Sequence, residues 1–176
     1  MSFQYNKGEY VKYSSNGVCL VKDIQKMNFG SSQEKELNTY YILTPISNYS
    51  TKIFVPTENE TLTSKMRRLL TKEELDSIIS NISIEEIAWK ENRKERIEDF
   101  QGIISRGDPM ELLRLVSCIY LRKQQIIKSG KKFSLTDESF LQQAEGMIEN
   151  EFAFVLGIEP FQVKDYIFEK IKVSAE

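Results

Sequence analysis

The sequence predicts an α+β protein in which a small N-terminal β part precedes a compact all-α part of about five helices. Residues 1–60 are rich in Tyr, Val, Ile, Thr, Asn and Ser, and their short runs are broken by Gly, Asn and Pro. After Thr61 the pattern changes to helical periods with capping signals. The 176 residues, 40% of them hydrophobic, can bury a sizeable core. We therefore expect two domains, residues 1–60 and 61–176.

The N-terminal part is predicted to consist of several short strands. Runs rich in β-formers are separated by polar stretches about ten residues apart, and the first separator contains the turn-forming pair Asn16-Gly17. Pro56 ends the last run. The expected strands are residues 10–13, 18–24, 40–44 and 52–55. This spacing favours a small, strongly bent sheet or an SH3-like barrel.

The C-terminal part carries local signals for helix starts and ends. Thr71 precedes Glu74 by three residues, and Ser83 precedes Glu86 in the same way, which is the capping-box arrangement. Asp108 before Pro109 provides an N-cap and a first-turn proline. The expected long helices are residues 84–105, 109–128 and 136–156, and a last one follows Pro160 to about residue 173.

The composition excludes most catalytic and metal-binding sites. The chain has no histidine, which removes Ser/His/Asp and Cys/His catalysis and His-ligated zinc. Its two cysteines, Cys19 and Cys118, are too few for a four-cysteine zinc site and suit a reducing compartment. No apolar run approaches the roughly 18 residues of a membrane span. We expect a cytoplasmic protein that is not an enzyme, holds no metal or cofactor and binds no membrane.

Charge is unevenly distributed along the chain. Residues 1–60 contain 6 basic and 6 acidic residues, residues 61–132 contain 15 and 11, and residues 133–176 contain 3 and 9. The first helices of the α part are therefore basic and its last third is acidic. The basic stretch is where we expect a nucleic-acid contact.

The only tryptophan of the chain lies beside four cations. On a helix, Trp89, Arg93 and Arg96 would share one face, with Lys90 and Lys94 on an adjoining stripe. A flat aromatic with basic neighbours suits contact with a DNA backbone and an unstacked or minor-groove base edge. The alternative is that Trp89 anchors a helix on the core and that the charges form a solvated face.

The order of these features resembles the CarD/CdnL family of bacterial transcription regulators, whose N-terminal module is shared with the transcription-repair coupling factor. Several segments carry the resemblance, from residue 3 to about the last helix. They are residues 3–13, Asn16-Gly17-Val18, Tyr40-Tyr41-Ile42-Leu43, Ile53-Phe54-Val55-Pro56, Trp89 with the basic residues after it, and Arg106-Gly107-Asp108 before a long helix.

The resemblance implies how each part functions. A Tudor-like domain, residues 1–60, would dock on the β subunit of RNA polymerase holoenzyme through an exposed strand edge, and the helical domain, residues 61–176, would contact promoter DNA. Trp89 would wedge into the minor groove at the upstream edge of the transcription bubble and stabilise the open complex. Lys90, Arg93 and Lys94, with Arg96 beside them, would contact the phosphates.

The resemblance also implies a polymerase-binding edge in two segments. These are Met27-Asn28-Phe29 and Lys52-Ile53-Phe54. Strand addition supplies main-chain hydrogen bonds without demanding particular side chains. Members of the family carry arginines where this chain has Met27 and Phe54, so we expect a more apolar contact or an altered β-subunit surface.

Two functions follow as hypotheses. The first is a non-enzymatic, nucleoid-associated transcription regulator that acts as a monomer on each polymerase and slows collapse of the open complex. The second is a protein-interaction adapter of polymerase or repair factors that makes no direct DNA contact. Salt-dependent DNA affinity separates them, because only the first requires phosphate contacts.

Overall fold

A computed structural model of the chain describes residues 4–28, 37–82 and 87–174, and the chain divides into two compact units. The first unit comprises residues 1–69 and the second residues 70–176. An antiparallel sheet is followed by helices, so the predicted α+β class is confirmed. The division lies after the predicted boundary at residue 61, because one short helix and one further strand still belong to the first unit.

The first unit contains a five-stranded antiparallel sheet. Its strands are β1 (Tyr10–Tyr13), β2 (Val18–Met27), β3 (Asn38–Pro45), β4 (Ile53–Pro56) and β5 (Met66–Arg68), and a short helix α1 (Glu60–Thr63) precedes β5. The strand order is β4-β3-β2-β1-β5. β5 was not among the predicted strands, since three residues are too few to show a strand pattern. Closure of this sheet into a barrel stays a prediction.

Alternate residues of the strands bury one face of the sheet. Val21, Leu43 and Val55 are fully buried there. Cys19 is also buried, and desolvation raises the pKa of its thiol to about 11. The Tyr5 hydroxyl donates a hydrogen bond to the Met66 carbonyl at 3.1 Å, which ties the start of the unit to β5. The Cys19 thiol is therefore protonated at neutral pH and packs as a small apolar side chain.

The second unit is helical. Its α-helices in the described residues are α2 (Lys72–Ser80), α3 (Arg93–Arg106), α4 (Pro109–Lys128), α5 (Leu135–Leu156) and α6 (Val163–Ser174). The capping box at Thr71, the Asp108 N-cap and the left-handed Gly157 at the end of α5 are present. Local capping chemistry thus places most helix ends where the sequence predicts them. The exact number of helices stays a prediction, because residues 83–86 lie outside the described part.

One predicted helix begins later than expected. The continuous helix over residues 84–105 is wrong for residues 87–92, which are not helical, and the Ser83 capping box lies outside the described residues. α3 begins at Arg93 because the Asn92 side chain caps it by accepting from the amides of Lys94 and Glu95. Trp89 therefore does not share a helix face with Arg93 and Arg96.

No helix in the described ranges combines the length and the apolar character needed to cross a bilayer.

The helices of the second unit bury a common core. Its largest fully buried side chains are Phe100, Phe152, Leu75, Ile79, Leu115 and Ile119.

A polar contact joins α2 to α6. Asp76 accepts hydrogen bonds from the Tyr166 hydroxyl at 2.6 Å and from Lys170 Nζ at 2.8 Å. Burial alone would raise the pKa of Asp76, but the bonds from Lys170 and Tyr166 outweigh it and lower that pKa. The same bond raises the pKa of Lys170. The contact is therefore intact across the neutral range.

We expect Asp76→Asn to lower the free energy of unfolding at pH 7 by up to about 1 kcal/mol, since both partners are partly exposed. The folded carboxyl has the lower pKa, so its contribution is present above the unfolded value and is lost as the pH falls through the folded value. Urea unfolding at a series of pH values from 7 downwards measures this. The variant and the wild type should converge in acid, and Glu169→Gln on the exposed side of α6 is the control; equal stability at pH 7 would contradict the prediction.

Candidate functional site

Arg96 holds the segment that carries Trp89. Its Nη1 donates to the carbonyl of Lys90 at 2.6 Å and to that of Glu91 at 3.4 Å. These bonds run from the first turns of α3 back to the non-helical residues 87–92. The segment is therefore fixed in place although it has no helical hydrogen bonds of its own.

Arg96 is in turn fixed by Asp137 at the start of α5. Its Nε donates to Asp137 Oδ1 at 3.2 Å and its Nη2 to Oδ2 at 3.1 Å, so the pair is bidentate. The two side chains are only 8% and 3% exposed. Arg96, which was predicted to contact DNA, thus donates its hydrogen bonds inside the protein, to Asp137 and to two backbone carbonyls.

Trp89 is partly buried against the helical core. Its ring meets Phe100 edge to face, with centroids 6.1 Å apart. The guanidinium carbon of Arg96 lies 4.4 Å from the indole centroid, and that of Arg122 lies 5.5 Å away. Cation–π contacts of this kind stabilise by roughly 0.5–2 kcal/mol and orient the ring. The indole is therefore both anchored to the core and partly open to solvent.

Arg122 and Asp137 complete this cluster, and neither is among the residues predicted from the sequence. Arg122 on α4 pairs with Glu91 through Nη2 and Oε1, at 2.5 Å, and its side chain is 32% exposed. Both residues are distant from Trp89 in the chain, so no local spacing could indicate them. The packing of α4 against residues 87–92 and of α5 against α3 brings them together.

The remaining cations that were predicted to contact DNA differ in how far they are already bound by partners within the protein. Lys90 Nζ pairs with Asp99 Oδ2 at 2.6 Å, and this hydrogen bond raises the pKa of the ammonium. Arg93 Nη2 donates to Thr136 Oγ1 at 3.1 Å and stays exposed. Lys94 is exposed and has no ion pair to any residue in the described ranges. Among these three cations, Lys94 is therefore the one that a phosphate can reach without displacing a partner in the described residues.

The sheet of the first unit ends in β4, which carries two of the predicted polymerase contacts. β4 pairs with β3, and the described sheet has no strand on its other side. Phe54 lies directly across from Ile42, on the face opposite the buried side chain of Val55, and is 38% exposed. Lys52 precedes the strand and is exposed. An edge of this kind can accept an added strand.

Comparison with known families identifies this unit. Residues 5–70 match the family model of the CarD-like/TRCF RID domain. The first unit is a CarD-like/TRCF RID domain. Such a domain is a protein-interaction module, and the match indicates an adapter that interacts with the RNA polymerase β subunit. The helical unit lies outside the matched residues except for its first residue, Leu70, and no curated protein matches the chain.

The predicted polymerase contacts occupy two separate places in the RID domain. Met27 ends β2 and pairs with Asn38, so it lies beyond β3 from Phe54, about 10 Å across the sheet. Asn28 follows Met27 and is exposed. Phe29 lies outside the described residues. The structure therefore places Ile53 and Phe54 on one edge and does not bring Met27 and Asn28 to it.

No group of three or more Cys, Asp or Glu side chains that could hold a metal ion occurs in the described part of the chain.

Proposed function

We propose that this protein is a non-enzymatic transcription regulator that binds the RNA polymerase β subunit through its RID domain and promoter DNA through its helical unit. The observation that carries the proposal is the RID-domain match over residues 5–70, in a unit whose sheet ends in the edge strand β4. We expect one monomer to act on each polymerase.

Docking would occur by strand addition at β4. The main chain of the added strand supplies hydrogen bonds, and the exposed ring of Phe54 supplies an apolar contact beside them. Lys52 adds a charge at the start of the edge. Met27 and Asn28 would form a second, separate contact at the end of β2. An aromatic ring near the centre of an interface is a common source of binding energy.

We expect Phe54→Glu to weaken binding to the isolated β subunit by at least about tenfold, or ~1.4 kcal/mol, because it places an unpaired charge in the contact. Fluorescence titration with the full chain measures the affinity. Tyr49→Glu is the matched control, since Tyr49 is also an exposed aromatic of this unit, 69% exposed, but lies outside β4. Equal weakening in both variants, or none in either, would contradict docking at β4.

The helical unit would contact DNA beside Trp89. The partly open indole can insert at an unstacked base step, and insertion of an apolar wedge there favours a deformed duplex. Lys94, Arg93 and Lys90 would lie along the phosphates, with Lys90 exchanging Asp99 for a phosphate. Phosphate contacts position a protein but carry little sequence information, so affinity for DNA alone should be weak and salt-sensitive.

We expect Lys94→Glu to lower DNA affinity and to reduce the slope of log affinity against log salt by about 0.9 for each phosphate that the variant no longer neutralises. Titrations of a fluorescent promoter fragment at several salt concentrations measure the slope. Lys72→Glu, at the exposed start of α2, is the control and should leave the slope unchanged. Indistinguishable slopes for wild type and Lys94→Glu would remove Lys94 from the interface.

The alternative function is an adapter that binds the polymerase β subunit without touching DNA. The observation that favours it is the engagement of Trp89 with Phe100 and with two guanidinium groups, as in a purely structural anchor. In that case the full chain would show no salt-dependent DNA affinity.

A further inference from the structure

The helical unit contains an apolar groove that the proposed function does not use. It runs between α4, α5 and α6, with Ile82 after α2 at one side, and encloses about 160 Å³. Its apolar lining includes Leu113, Val116, Ile148, Val163 and Ile167. None of the residues assigned to DNA or polymerase contacts lines it. We refer to this feature as the α4–α6 groove.

The rim of the α4–α6 groove exposes large apolar side chains. Tyr120 is 42% exposed, Phe168 51% and Ile171 41%. Adjoining exposed apolar groups of this size mark an interaction surface. The enclosed volume is well below the roughly 300–1,000 Å³ of small-molecule pockets, and it suits one or two anchoring side chains. The groove therefore fits the apolar face of another polypeptide.

Charge at the α4–α6 groove is unbalanced. Glu145 and Glu149 lie one turn apart on α5 and both line it. Lys164 Nζ is 3.8 Å from Glu145 Oε1, whereas the Glu149 side chain forms no hydrogen bond or ion pair with any other described residue and is only attracted by the same lysine at longer range. Burial, and then repulsion from Glu145, raise the pKa of Glu149, and the attraction of Lys164 offsets them only in part. A further cation beside Glu149 would attract its carboxylate and so offset both effects, one of which is the repulsion of like charges one turn apart on a helix.

We propose that the α4–α6 groove binds an amphipathic helix of a partner protein, with bulky apolar residues on one face and a Lys or Arg beside them. The apolar residues would fill the enclosed space between Val116 and Ile167. The basic residue would pair with Glu149. Since helices form the walls, a further helix can pack with a ridge of its side chains inserted into the groove. The surface would join a second protein to the chain, independently of the polymerase and DNA contacts.

A displayed library of conformationally constrained 16-residue helices tests the proposal on the full chain. Selection should enrich peptides with apolar residues at positions i, i+3 or i+4, and i+7 that also carry a Lys or Arg. The double variant Glu145→Lys with Glu149→Lys should instead select Asp or Glu at that place. Ser117→Trp should lower the affinity of the best peptide by at least about tenfold, because it fills the groove from an exposed position.

Ser139→Trp is the matched control, since it introduces the same side chain at an exposed position of α5 that does not line the groove. It should leave peptide affinity unchanged, and thermal unfolding of both variants shows whether they fold. Three results would overturn the proposal. The first is that no peptides are enriched, and the second is that the double lysine variant selects the same peptide charge as the wild type. The third is a concentration-dependent dimer of the wild type that Ser117→Trp abolishes, because the occupant would then be a second copy of this chain.

Discussion

Asp137→Ala should destabilise the helical unit by about 3–5 kcal/mol, the typical cost of removing one partner from a buried ion pair. The variant leaves the Arg96 guanidinium buried opposite an apolar group, with its Nε and one Nη lacking acceptors. Urea unfolding followed by helical circular dichroism measures the change. The expected decrease is a large fraction of the stability of a domain of this size.

Two comparisons make this prediction specific. Glu111→Ala removes the partner of Arg106 in an ion pair whose side chains are 57% and 37% exposed, so it should cost no more than about 1 kcal/mol. Replacing both partners, Arg96→Met with Asp137→Leu, should recover part of the stability, since no charge then stays buried. An Asp137→Ala effect as small as that of Glu111→Ala would show that the pair is not the buried anchor described here.

Trp89→Ala should abolish the extension of open-complex lifetime while leaving polymerase binding intact. In the proposed function the indole occupies an unstacked base step, and alanine cannot fill that space. The docking edge at β4 belongs to the other unit, so its affinity for the β subunit should not change. Open-complex lifetime on a ribosomal RNA promoter, measured with the cognate polymerase, provides the result.

The matched control is Phe161→Ala, which removes another aromatic of the helical unit, 76% exposed, from outside the Trp89 cluster. Trp89 also packs on Phe100, so the unfolding of each variant must be measured, and Trp89→Phe retains part of that packing. A lifetime unaffected by Trp89→Ala in a folded protein would exclude the wedge and leave the adapter function.

The sequence predicted those features that depend on neighbouring residues. The capping box at Thr71, the N-cap at Asp108 and the left-handed Gly157 follow from local hydrogen bonding and backbone geometry. The start of α3 differs from the predicted one because Asn92 caps the helix at Arg93, and tertiary contacts hold residues 87–92 in a non-helical conformation. In particular, the bonds of Arg96 to the Lys90 and Glu91 carbonyls favour a non-helical segment.

The candidate site was predictable in composition but not in arrangement. Trp89 and the cations beside it stand out in the sequence, yet Asp137 determines that Arg96 is buried, and α4 supplies Arg122. Such pairings form only when helices distant in the chain pack together, so they cannot be predicted from the spacing of residues in a single sequence. On the sheet, the run of β-forming residues before Pro56 predicted β4, whereas the separation of Met27 from Phe54 follows from the strand order.

The hydrogen bonds from Arg96 to residues 87–92 also bear on the entropy of DNA binding. Fixing the backbone of a flexible segment costs roughly 1–2 kcal/mol per residue. Here that ordering accompanies the folding of the helical unit, since Arg96 already binds the carbonyls of Lys90 and Glu91. In the proposed function, promoter DNA would therefore contact a Trp89 indole that is already held in place. The rate of association with DNA should then depend on diffusional encounter and on opening of the base pairs rather than on rearrangement of the protein.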